Sequence, residues 1–331
     1  MPVYSDQPIS HAIDDLGRAD APIEGPTSFR GSLYEGVQIL GGSDGRVSKL
    51  TLSNHLHVGV TVLDSANIQV DRNASSASAA GILVAVSRDI RVERNSLARH
   101  GAGIAVNRSN QVRIVGNTAS GNGTGIEMFD QSDRNAIEEN FASSNSFAGI
   151  LADADDTRVN RNRAINNGNG VIIFGSRNSV TGNQIVDAVS CPEGCGFGIS
   201  LEGGMGNLIE RNMVYRTSAD AIRIAAFEPD VPTGDTVVRD NLVAFAAVDG
   251  FSVATEGEGT VGSALMQRNV STGSGDDGFD IRSVATTLTS NVAVRNGDLG
   301  VEALPGVIDG GGNKASGNGN PLQCTGITCS S

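Results

Sequence analysis

The chain has no Trp, only three Tyr, and just two lysines, Lys49 and Lys314. With aromatics at 4%, the interior has to be built mainly from aliphatic side chains. No apolar run approaches the roughly 20 residues that a membrane-spanning helix needs. The N-terminus, MPVYSDQPIS, lacks the basic and apolar parts of a signal peptide. A leader removed from this sequence remains compatible with a secreted or extracellular protein. Basic charge is also scarce, with 24 Lys+Arg against 37 Asp+Glu and a net charge of −13. This argues against nucleic acid and anionic membranes as partners, because both need basic surface. Cysteine is limited to two close pairs, Cys191/Cys195 in CPEGC and Cys324/Cys329 in CTGITC. Each reads as a loop disulfide, and together they suggest an oxidising compartment.

What the chain has in quantity is Gly, 43 residues in 331, at regular intervals. Gly followed by an alternating strand recurs as GVTV, GILV, GIAV, GIEM, GILA, GVII and GISL, then with Ala221 in place of Gly as AIRI, then as GFSV, GFDI and GVEA. A second signal is an Asn closing a short strand, at Asn73, Asn95, Asn117, Asn140, Asn162, Asn183, Asn212, Asn241, Asn269 and Asn291. The usual step is 21–24 residues. Short period-2 strands between Gly/Asn/Ser turns, with no helical stretch for a crossover, predict an all-β fold. The expected architecture is a right-handed parallel β-helix of about 11–12 coils. The coils are expected over 47–313, with an N-terminal cap at 1–46 that includes a short helix in PISHAIDDLG, and a C-terminal cap at 314–331. The Asn residues are expected inside a turn, tolerating a left-handed backbone and forming an amide ladder. A monomer is expected.

Three consecutive coils are long, 28–29 residues between successive Asn. The extra residues fall at 190–197, 227–236 and 255–262. Insertions in a solenoid become loops on its flank, where function often sits. Beside them the residue preceding the repeat Gly changes character. It is Ala80, Ala102, Thr124, Ala148, Asn169 and Phe197, and then Asp220, Asp249 and Asp277. Adjacent strands lie about 4.7–4.9 Å apart, so three carboxylates should stack in a column. A second outward column should hold Arg223, Ser252, Asp280 and Glu302, with Phe279 and Ile281 pointing inward. Asp276 adjoins the first column, and Asp298 lies one coil on. Two charges about 5 Å apart repel by roughly 3 kcal/mol at an effective dielectric near 20. A divalent cation, a retained proton or salt bridges from Arg223 and Arg282 would each relieve this.

The coils resemble those of the right-handed β-helix polysaccharide lyases, hydrolases and C5-epimerases. VDGFSV at 248–253 followed by DDGFDI at 276–281 resembles the calcium site of family 9 pectate lyases. The resemblance implies Ca2+ held by Asp249, Asp276, Asp277 and Asp280, and a uronate-containing polysaccharide as substrate. It also implies β-elimination or C5-epimerisation. The family's basic Lys position is occupied here by Leu299. By position Arg282 becomes the candidate base and Arg223 the candidate stabiliser of the enolate. Asp220, Ser252, Asp298 and Glu302 are the expected substrate contacts. VDG (248–250) with GDD (275–277) also imitates the polygalacturonase pattern. That implies a glycoside hydrolase in which one of Asp249, Asp276 and Asp277 is a protonated general acid and another activates water, with no need for calcium. A non-catalytic carbohydrate-binding solenoid is the third reading.

Overall fold

The computed structural model describes residues 23–24, 28–30, 35–189, 191, 194–226, 231, 233–255 and 259–331. Every regular element among them is a β-strand. Three parallel sheets carry 13 strands each, so the solenoid has about 13 turns rather than 11–12. The additional turns come from the ends. Ile23–Glu24, Ser28–Arg30 and Val37–Leu40 pair with the strands that follow them. At the other end, Lys314–Ser316 pairs with Val292–Val294, and Cys324–Thr325 with Val301–Ala303. The short helix expected in PISHAIDDLG lies outside the described residues, as do parts of the three long loops (190, 192–193, 227–230, 232 and 256–258). By contacts the chain divides into two compact units, residues 1–158 and 159–331.

Each coil turns its corner on the predicted Asn. In the first unit Asn73 Nδ2 donates to Asn95 Oδ1 at 3.0 Å, and Asn95 to Asn117 and Asn117 to Asn140 repeat the bond at 3.0 Å. The same oxygen accepts a main-chain N–H, as from Asn73 to Asn95 at 2.9 Å. In the second unit the ladder runs from Asn162 through Asn183, Asn212, Asn241, Asn269 and Asn291 to Asn313. All of these amides are buried and hydrogen-bonded, which is the condition for keeping polar groups in a core. The left-handed residue is the one before the Asn, such as Arg72 (φ 55°), Arg94 (53°) and Arg268 (51°). The Asn itself therefore serves as the bridge, and its neighbour makes the bend. Each unit also holds bonds not evident from the repeat: His100 N–H donates to Asn122 Oδ1 in the first, and Asn296 Nδ2 donates to Asn318 Oδ1 in the second.

The repeat Gly answers a different requirement. At Gly103 a Cβ would stand 2.4 Å from the carbonyl oxygen of Gly125, and at Gly278 it would stand 2.5 Å from that of Gly300. Successive coils approach too closely there for any side chain. Beyond the Gly, inward residues of the third sheet fill the core. In the first unit these are Val60, Ile82, Ile104, Ile126 and Ile150, all fully buried. In the second unit Phe251 and Phe279 stack at 4.7 Å with planes 3° apart. Fully burying each such side chain stabilises by about 1.5–3 kcal/mol.

Candidate active site

The third sheet of the second unit presents the predicted column. Gly198 N–H donates to Asp220 O (3.2 Å), Ala221 to Asp249 O (2.9 Å), Gly250 to Asp277 O (2.9 Å) and Gly278 to Leu299 O (3.0 Å). Asp220, Asp249, Asp277 and Leu299 thus occupy one position in four successive coils. The side chains form a ladder of their own. Asp220 Oδ1 accepts the N–H of Asp249 at 3.2 Å, and Asp249 Oδ1 that of Asp277 at 2.8 Å. Asp277 Oδ1 accepts the N–H of Leu299 at 2.7 Å. Main-chain donors therefore help to hold these like charges together.

Burial opposes that charge. Asp249 is 7% exposed and Asp277 4%. Burial pushes Asp249 up to about 7, with Asp220, Asp280 and Asp277 adding repulsion against one main-chain hydrogen bond. Asp277 rises to about 7 for the same first reason, with Asp276, Glu302 and Asp280 as the repelling charges. A proton near neutrality is the direct consequence.

The second outward column also forms as expected. Arg223 pairs in register with Ser252, Ser252 with Asp280, and Asp280 with Glu302. Phe279 and Ile281 face inward and are fully buried. Arg282 lies 2.6 Å from Asp280 and also grips Glu302 through Nη2. Burial pulls the Arg282 guanidinium down, but Asp280, Glu302 and Asp277 outweigh it and leave it above its ordinary value. Arg223 is nearly buried and lies over the Phe197 ring, 4.4 Å from its centroid.

Carboxylate oxygens converge in two groups, each with its atoms within 4.8 Å of one another. One is Asp276, Asp277 and Asp298, and the other is Asp277, Asp280 and Glu302. That spacing suits oxygen ligation of a hard cation. Asp277 belongs to both groups. Asp249, one of the four ligands the sequence suggested, belongs to neither. Both disulfides are present, Cys191–Cys195 and Cys324–Cys329.

Two neighbours of the column escaped the sequence reading as site residues. Phe197 precedes Asp220 in the column, since Gly170 N–H donates to Phe197 O at 3.0 Å. Glu202 accepts from Ser200 Oγ at 2.9 Å, and Ser200 is the residue in register with Arg223. Their one sequence signal is outward position in the repeat, which separates them only by register from surface residues.

Residues 19–191, more than half of the chain, match the family described as periplasmic copper-binding protein (NosD). Residues 143–296 match the right handed beta helix region family. No curated protein matches. Among solved structures, the chain is similar to the catalytic unit of a thermostable GH87 α-1,3-glucanase from Streptomyces thermodiastaticus, with TM-score 0.62 and 13% identity. That match covers 87% of this chain and 63% of the glucanase unit, so the chain spans under two thirds of that protein's length. A variant of the periplasmic alginate epimerase AlgG gives TM-score 0.56 at 16% identity, over 77% of this chain and 78% of that one. A tailspike protein of E. coli bacteriophage HK620, in complex with a pentasaccharide, gives 0.58 at 8% identity, over 90% and 68%. At these identities the likeness is one of fold.

Proposed function

We propose that this chain, which belongs to the NosD family of periplasmic copper-binding proteins, is a polysaccharide-processing enzyme in which Asp249 and Asp277 transfer protons. The observation that carries this is their geometry. They are buried carboxyls in successive coils, each with one oxygen committed to a main-chain N–H. Both sit beside a half-neutralised acidic face. Near neutrality such a pair shares protons, and its titration belongs to the pair rather than to either member. The protonated member donates to a glycosidic oxygen as the C–O bond breaks. The ionised member takes a proton from the attacking water. Hydrolysis of a glycan is the reaction this pair supports best.

A second reading is calcium-assisted β-elimination or C5-epimerisation of a uronate polysaccharide. The two oxygen groups sharing Asp277 favour it. Bound there, calcium would draw charge from a substrate carboxylate and acidify the adjacent C–H. The base is the difficulty. Arg282 is engaged by Asp280 and Glu302 and held above its ordinary pKa, and the lysine position of the pectate lyases is Leu299. Asp249, outside both oxygen groups, is then the residue left to remove the proton.

Copper fits neither reading. Copper sites draw on thiolate, thioether and imidazole ligands. The four Cys are in disulfides. His55 and His100 are buried, and His57 is exposed. Among the described residues, the groups of three or more His, Cys, Asp or Glu close enough to share an ion are carboxylates alone. The substrate is a polysaccharide, and the fold neighbours that act on or carry saccharides support that class. The family's description and the two disulfides support a periplasmic or extracellular location.

A product assay with a chelator separates the readings. The chain is incubated with α-1,3-glucan, alginate and polygalacturonate, with and without EGTA. Hydrolysis yields new reducing ends without unsaturated sugars and is indifferent to EGTA. Unsaturated or epimerised uronates that disappear with EGTA would replace the hydrolytic reading with the calcium one.

A further inference from the structure

Phe197 is built into place by separate devices. Its N–H and that of Gly196 both donate to Asn169 Oδ1, at 3.1 and 3.2 Å. Gly196 has φ +115°, and a Cβ there would stand 2.4 Å from Ser218 Oγ, so the approach to the ring tolerates only glycine. The Cys191–Cys195 disulfide closes the loop just before it. Against the ring lies Arg223, a residue only 6% exposed, with its guanidinium carbon 4.4 Å from the centroid. A buried cation against the face of a ring is a favourable contact that also fixes the ring's orientation. Yet Phe197 itself is only half-buried. A half-exposed apolar ring held against Arg223, in the column that continues into Asp220, Asp249 and Asp277, leaves hydrophobic surface beside the acids.

We infer that Phe197 is a stacking platform for one pyranose ring of the bound polysaccharide. This rests on the reading of the acidic column as a glycan-processing site. A pyranose presents an apolar C–H face that packs on an aromatic ring, while its hydroxyls turn to polar neighbours. Phe197 is one coil from Asp220 and two from Asp249, about 5 and 10 Å along the column at ordinary strand spacing. A sugar stacked on it therefore leaves the adjoining sugar beside the acid pair. Phe197 fixes the register of the chain on the enzyme and takes no part in proton transfer.

The absence of Trp makes the test direct. Phe197→Trp, in an Asp249→Asn background that prevents turnover, gives a chain with one indole at the site in question. It is titrated with hexagalacturonate and with an α-1,3-linked glucose hexamer. The expected result is a saturable emission change with one of them. By calorimetry in the same background, Phe197→Ala and Phe197→Leu weaken that binding more than tenfold, and Phe197→Tyr by less than threefold. Loss shared by Ala and Leu but spared in Tyr separates stacking from mere bulk. In the chain with Asp249 intact, Phe197→Ala raises KM and leaves kcat within twofold. An indole silent at saccharide concentrations that saturate by calorimetry overturns the stacking role, as does Phe197→Ala binding like the parent. Turnover lost in Asp249→Asn alongside a silent indole leaves the acid pair standing and removes the platform. A responsive indole in a chain whose Asp249→Asn variant turns over normally does the reverse. If neither hexamer binds the chain carrying Phe197, both are overturned.

Discussion

The same position in the repeat is mostly apolar in one unit and carries three successive aspartates in the other. In residues 1–158 the outward residue before the Gly is Val58, Ala80, Ala102, Thr124 and Ala148, paired in register from coil to coil. All five are buried, and Val58, Ala80 and Ala102 join Ala105, Leu83 and Phe129 in an apolar cluster. In residues 159–331 the equivalent residues are Asn169, Phe197, Asp220, Asp249, Asp277 and Leu299. Glycine, inward aliphatics and Asn ladder are common to both. The scaffold therefore tolerates either character at this position, and the coils beside the acids differ from the rest in their longer loops. Energetically the two columns differ in what burial does. It stabilises Ala102 and opposes charge on Asp277.

If the ladder is a shared scaffold, cutting it should cost the same in either unit. Asn117→Ala and Asn269→Ala each strand buried donors and acceptors on neighbouring coils. Each is expected to destabilise by about 3 kcal/mol, read from chemical denaturation of the full chain. A large effect in one unit and none in the other would break the equivalence. Writing the second unit's chemistry into the first is expected to cost less. Ala102→Asp buries a carboxylate among apolar neighbours and should lower stability by about 2 kcal/mol at neutral pH, without creating turnover.

The pH dependence of stability sharpens the same contrast. Asp249 and Asp277 titrate near 7 in the folded chain against an ordinary value of 3.8. Between those values the folded state holds protons that the unfolded state has lost, so this contribution weakens as pH rises from about 4 to about 7. Melting temperature is expected to fall over that window. Asp277→Asn should flatten the fall, and saturating calcium should oppose it if the oxygen groups bind the ion.

The coil was legible because its demands are local and repeated. A Gly recurs where a Cβ would strike the next coil, and an Asn recurs where an amide bridges coils. The end turns were missed because strands such as Ile23–Glu24 and Cys324–Thr325 carry neither mark. The left-handed bends at Arg72 and Arg94 were missed for a related reason, since nothing in an arginine signals positive φ. The Asp column followed from register alone. Its internal arrangement did not, because the grip of Arg282 on Asp280 and Glu302 depends on side-chain reach between coils. So does the seat of Phe197 on Arg223.

The measurement that bears most directly on the account is the turnover of the wild-type chain beside Asp249→Asn and Asp277→Asn, on whichever glycan of the panel is cleaved, with melting curves taken in parallel. The account predicts a loss of about 10²–10⁴-fold in kcat for each variant with the fold intact. Either variant retaining wild-type turnover, or losing it only together with its cooperative melt, would contradict the assignment of the pair as the proton-transferring groups.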